Sequence, residues 1–165
     1  MKKFLALLLL TVLCVSACSA VFAETAQYAS TADFVRMLEE ADLKYTNRGI
    51  DQDGDEHVTL AVGEDFTDYV IHFFFEEDGQ HTAIFVWNLI TFDPADTLKV
   101  MHVCNSLNYK YKYTCFYVDT SDNTVTVSMN LIYRDDNVGL ANVEATLFLM
   151  NIITEAYPSL AVYAK

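Results

Sequence analysis

Glycine is scarce in this sequence, with five residues in 165. Loops that cradle phosphates need several glycines, and neither a G-x-G-x-x-G nor a Walker loop occurs. A nucleophile elbow, G-x-S-x-G, and the zinc-peptidase helix, H-E-x-x-H, are also missing. No catalytic, cofactor-binding or metal-ligating set can be read, so the chain is expected to be non-enzymatic. There are two prolines and no Pro-rich linker, repeat or low-complexity tract, which leaves one domain. Cations are few as well: 10 Lys and Arg against 23 Asp and Glu, a net charge of −13. No Lys or Arg lies between Arg48 and Lys99, whereas 12 acids do. Such a field repels nucleic acid and anionic lipid, which need basic contacts. It suits a basic partner or divalent cations, and it also serves solubility.

Long apolar runs are short of a membrane span too. The chain opens MKKFLALLLLTVLCVSACSAVFAET. Lys2 and Lys3 precede an apolar stretch from Phe4 to Ala17, below the ~20 residues that a spanning helix needs. This is the layout of a secretory signal. Two cleavages compete. Val21-Phe22-Ala23 fits cleavage before Glu24, leaving residues 24–165 with 8 basic and 23 acidic residues and a net charge of −15. Val15-Ser16-Ala17-Cys18 resembles a lipoprotein box in which Cys18 would carry lipid. Either exports the chain to a bacterial envelope or beyond, with the membrane touched only through a signal or lipid anchor.

Residues 24–30 read as a flexible leader. Ser30 and Asp33 resemble a capping box, and Phe34, Val35, Leu38, Ala41 and Leu43 recur at helical spacing, predicting a helix over 31–42. KYTNRGID is a short strand, DQDGDE a turn and HVTLAVGE a second strand. DYVIHFFFEE and QHTAIFVWNLITF flank Asp78-Gly79, a hairpin signal. If Glu77 pairs with Gln80, one face of that hairpin carries Val70, His72, Phe74, Ala83, Phe85, Trp87 and Leu89. The other carries Tyr69, Ile71, Phe73, Phe75, Thr82, Ile84 and Val86. Both faces are apolar, unlike a sheet with one solvated face.

Asp93-Pro94 starts a helix over 94–108, with Leu98, Met101, Cys104 and Leu107 on its apolar side, beside Val100 and Val103. KYKYTCFYV and TVTVSMNLIY are two more strands joined by DTSDN. LANVEATLFLMNIITEAY is a long final helix, with Pro158 expected after its end. The order helix, four strands, helix, two strands, helix is α+β, an antiparallel sheet with helices mainly on one face.

The acidic turn DQDGDE, the meander up to VWNLITF, Asn105, Leu107 and Asn108 closing the middle helix, then FYVD, TVTVSMNLIY and the final helix resemble the YbjN family over about 39–158. The resemblance implies a fold similar to type III secretion chaperones, small proteins that often dimerise and bind other polypeptides. It implies a sensory-transduction regulator and supplies no catalytic residues. The export signal departs from a cytoplasmic role.

The remaining candidates have ordinary explanations. Cys104 and Cys115 form an even pair in an exported chain. A helix packed on a sheet stands ~10 Å away, whereas a bridge needs Cα atoms within about 7 Å. With Tyr117 opposite Val125, Cys115 faces the core, and one residue of slip turns it outward. DQDGDE fails as a calcium loop, because an EF-hand needs Gly at position six and Glu at twelve. On the hairpin register His81 lies opposite Glu76 and His72 opposite Phe85, roughly 13 Å apart and too far to share a metal. The aromatic hairpin is the stronger lead. Three helices leave one of its faces open, and Val70, Phe74, Phe85 and Trp87 are expected to form a surface for a protein partner or a second copy.

Overall fold

A computed structural model describes residues 25–63, 67–134 and 137–165. The expected secretory signal over 1–23, with both candidate cleavage sites and Cys18, lies outside the described residues. The elements are α1 (Ala29–Glu40), β1 (Tyr45–Ile50), β2 (Glu56–Gly63), β3 (Asp68–Phe75), β4 (His81–Thr91), a 3-10 turn (Pro94–Asp96), α2 (Thr97–Lys110), β5 (Cys115–Asp119), β6 (Thr124–Ile132) and α3 (Val138–Ala161). The six strands form one antiparallel sheet in the order β1-β2-β3-β4-β6-β5. The fold is α+β in the order α-ββββ-α-ββ-α.

Period-two alternation decides which side is covered. Val58, Leu60, Ile71, Phe73, Phe75, Ile84, Val86, Val125, Val127 and Met129 point inward and are buried. Phe34 of α1 packs on that side with its ring tilted, 4.7 Å from Phe73 and 5.5 Å from Phe75 between ring centroids. Leu149, Ile153, Ala156 and Leu160 of α3 are fully buried in the same core, which Val100, Cys104 and Leu107 of α2 join. No helix among the described residues is long and apolar enough to cross a membrane.

Several local expectations are corrected. Helix α1 starts at Ala29 rather than 31, because the leader is tied down: Gln27 and Tyr28 donate backbone N–H groups to the Glu56 carboxylate at 2.8–3.0 Å. Ser30 and Asp33 form no capping box. The N-cap is Tyr28, and Asp33 instead accepts from Gly139 N at 2.6 Å. The β3–β4 connection is wider than two residues: Gly79 N donates to Glu76 O, Gly79 takes φ 68°, and the strands end at Phe75 and resume at His81. The register is nevertheless the expected one, with His72 opposite Phe85.

The face alternation of β4 breaks at Asn88, whose φ is 54°. Val86 pairs with Val127 but Ile90 with Val125, so the bulge turns Leu89 from the open face into a buried position. On α2, Val100, Cys104 and Leu107 form the inner side, while Leu98 and Met101 are exposed. Helix α2 continues to Lys110, so β5 begins at Cys115 rather than 110. Pro158 lies inside α3, not beyond it. Pro158 lacks the N–H that would bond the Thr154 carbonyl, a loss of one ladder bond close to the helix end at Ala161.

The β5–β6 register is one residue away from the expected one. Tyr117 pairs with Thr126 and Cys115 with Ser128, so Cys115 faces outward and is exposed. Cys104 is buried on the other side of the sheet, and both thiols are free. Burial pushes the Cys104 thiol up to about 11. Asn108 explains the closing of the middle helix: its amide donates to Phe116 O at 2.9 Å and accepts from Phe116 N at 2.7 Å. It thereby satisfies one backbone pair on the outer edge of β5, an edge that would otherwise invite strand addition.

Candidate functional site

The open face of the sheet is built by the alternate residues of β2, β3, β4 and β6. Register sets them in rows: His57, Phe74, Ala83 and Asn130 in one, Thr59, His72, Phe85, Ser128 and Cys115 in the next. Val70 pairs with Ala61 in a third row, and Trp87 follows Phe85 by two residues on β4. The four residues expected as a partner surface, Val70, Phe74, Phe85 and Trp87, therefore share one face. Val70 is 38 % exposed and Trp87 42 %, while Phe74 and Phe85 are half-buried.

Phe74, Phe85 and Trp87 form one aromatic cluster with His57 and His72. The His57 ring lies 4.3 Å from Phe74 at 13° between planes, and His72 lies 4.1 Å from Trp87. Phe74 and Phe85 stand 5.7 and 5.8 Å from Trp87. Two half-buried histidines sit in its middle, His57 Nε2 and His72 Nδ1 sharing a hydrogen bond of 3.0 Å. Burial lowers both pKa values, with Arg48 adding to the effect at each. For His72 burial comes first, then the charge of His57, and the result is about 4. At neutral pH the pair is uncharged.

Sequence reasoning missed this pair because it left the β2–β3 register unread. His57 pairs with Phe74 and His72 with Thr59, so the two histidines are diagonal neighbours, within reach for rings. The available signal was a histidine on each of two consecutive alternating strands.

The rim differs from the centre. The connections β1–β2 and β3–β4 leave the same end of the antiparallel sheet, carrying Asp51, Asp53, Asp55, Glu76, Glu77 and Asp78. Burial, then Asp51, Glu76 and Asp53, push the Asp55 carboxyl up, so these turns feel one another. His81 Nδ1 lies 2.9 Å from Asp78 and 3.4 Å from Glu76, and the three could together hold an ion. The hydrogen bond between His81 and Asp78 accounts for that exposed arrangement. On the β1 side the face runs into an open cleft of about 510 Å³ beside Lys44 and Arg48.

Residues 34–158 match the family model of YbjN, described as "Putative bacterial sensory transduction regulator". The chain belongs to the YbjN family. No curated protein and no solved structure matches the chain. The YbjN match begins within α1 and ends at Pro158, so it contains all six strands and the whole aromatic face. The YbjN description is regulatory rather than catalytic.

Proposed function

We propose that this YbjN chain is a regulatory, protein-binding domain whose open sheet face docks a polypeptide with apolar side chains and cationic flanks. The observation that carries this reading is the contrast within one surface. In a chain with 23 acids, the two central rows of the face contain aromatic rings and no carboxylate. The turns at the rim concentrate carboxylates. Depletion of charge and enrichment of aromatics mark the centre of protein interfaces. Ring faces also attract Lys and Arg, and the acidic rim supplies charge complementarity and faster encounter.

The face is testable because Trp87 is the only tryptophan. A synthetic peptide of alternating Lys and Leu should shift Trp87 emission and saturate, whereas a Glu and Leu peptide of the same length should not. Phe85→Ser should weaken the Lys peptide about tenfold or more, as central aromatic contacts do. Equal binding of both peptides, or indifference to Phe85→Ser, would contradict the reading.

A further inference from the structure

The His57–His72 bond lies at the centre of the aromatic face, and its geometry distinguishes between two uses of paired imidazoles. The ring centroids are 5.2 Å apart, the planes 25° from parallel and the facing nitrogens 3.0 Å apart. The centroid separation nearly reaches the nitrogen separation plus the two ring radii, its largest possible value, so the nitrogens point at one another nearly in line. That suits a proton held between them. A metal ~2.0–2.1 Å from each nitrogen, in a tetrahedral site, would have to sit off that line. The bridge is therefore N–H···N, with one ring donating and the other accepting.

Each neutral imidazole carries one proton, so two added protons have different consequences. The first, from solvent, takes the free lone pair of the donor ring. The hydrogen bond survives, now charge-assisted, and the face gains one positive charge. The second takes the lone pair that accepts the bond. Both facing nitrogens then carry hydrogen, the bond cannot exist, and two imidazoliums stand side by side.

We infer that the His57–His72 pair makes docking on this face acid-releasable: neutral, it is part of an uncharged aromatic platform, and protonated, it sets positive charge against a cationic partner. This inference rests on the docking reading above. The groups facing the pair agree with it. Arg48 on β1 opposes charge on both rings, Asp51 in the β1–β2 turn favours charge on His57, and β4 contributes only uncharged Phe85 and Trp87. Burial keeps both rings below the ordinary value of 6.5, and His72, at about 4, accepts the second proton. Release should thus begin below pH 6.5 and finish near the His72 value.

The test titrates the Lys and Leu peptide against Trp87 emission from about pH 7.5 down to about pH 4, a range that charges unpaired imidazole fully and reaches the His72 value. Circular dichroism at each pH confirms that the chain is folded. The affinity should fall by at least about tenfold, the equivalent of one unit of pKa difference between free and bound states. The double variant His57→Gln, His72→Gln should lose clearly less, only the part that protonation of the rim carboxylates takes from both proteins, because its amides do not titrate there. Equal loss in both proteins, or a flat profile in the parent chain, overturns the switch alone. No binding at the higher pH overturns the docking reading and the release with it. NMR of the unmodified chain provides a second measurement should the double variant misfold. Two coupled imidazole titrations below the ordinary value are expected, and two independent ones at it would contradict the pair.

Discussion

Glu56 shows how one residue can organise distant chain. It has no exposed surface, yet it keeps its charge. Burial alone would push its carboxyl up, but the hydrogen bonds from Asn47 and from the Tyr28 and Gln27 backbone outweigh it and hold the pKa below 4.5. The carboxylate thus ties β2, β1 and the start of α1 together. A group whose folded pKa is depressed contributes stability that is present above the unfolded pKa and lost as pH falls through the folded one. Glu56→Gln places an amide N–H group against donors and should cost about 1–3 kcal/mol at neutral pH. Denaturant melts should show that gap closing below about pH 4.5, where the unfolded carboxyl is already protonated. A constant gap down to strong acid would refute the charged state of Glu56.

At the scale of elements, the contact between α1 and α3 depends on a missing side chain. A Cβ at Gly139 would meet Asp33 Oδ2 at 2.7 Å, Asp33 O at 2.8 Å and Met37 Sδ at 2.9 Å. Two of these atoms belong to a carboxylate and a backbone already engaged, since Asp33 accepts from Gly139 N and pairs with Arg36 at 2.7 Å. Gly139→Ala would ordinarily favour a helix by up to about 1 kcal/mol. Here the overlap reverses the sign, and a loss of about 1–3 kcal/mol is expected. Thermal melts decide between the two, and a stabilised variant would show that the helices can separate without cost. Helix periodicity made α1 and α3 legible, but nothing local marks a close approach over 106 residues of separation.

At the scale of the molecule, the net charge of −13 is set against a fold that brings two acidic turns to one end of the sheet. Self-repulsion of this kind weakens the compact state. Salt shortens its range from ~30 Å at 0.01 M to ~3 Å at 1 M. The melting temperature should therefore rise with sodium chloride. For a domain of this size about 1 kcal/mol corresponds to roughly 3–5 °C. A melting temperature that stays flat or falls would mean that attractive pairs, such as Arg36 with Asp33 and Glu40, outweigh the repulsion.

Alternation along β2, β3, β4 and β6, the Asp93-Pro94 helix start and the apolar spacing of the helices were sufficient, in the sequence by itself, to determine the element order, the antiparallel sheet and the register of the central hairpin. These are short-range properties, since a period of two or 3.6 is written into neighbouring residues. The sequence also showed that the central hairpin is apolar on both faces. Only the tertiary structure decided which face the helices cover, that Asn88 turns Leu89 inward, and that Cys115 faces away from Cys104. Each depends on how one strand lies against another, where a slip of a single residue inverts a face. The same holds for His57 and His72, which lie 15 residues apart in the chain and share a proton only because β2 and β3 pair in the register they do.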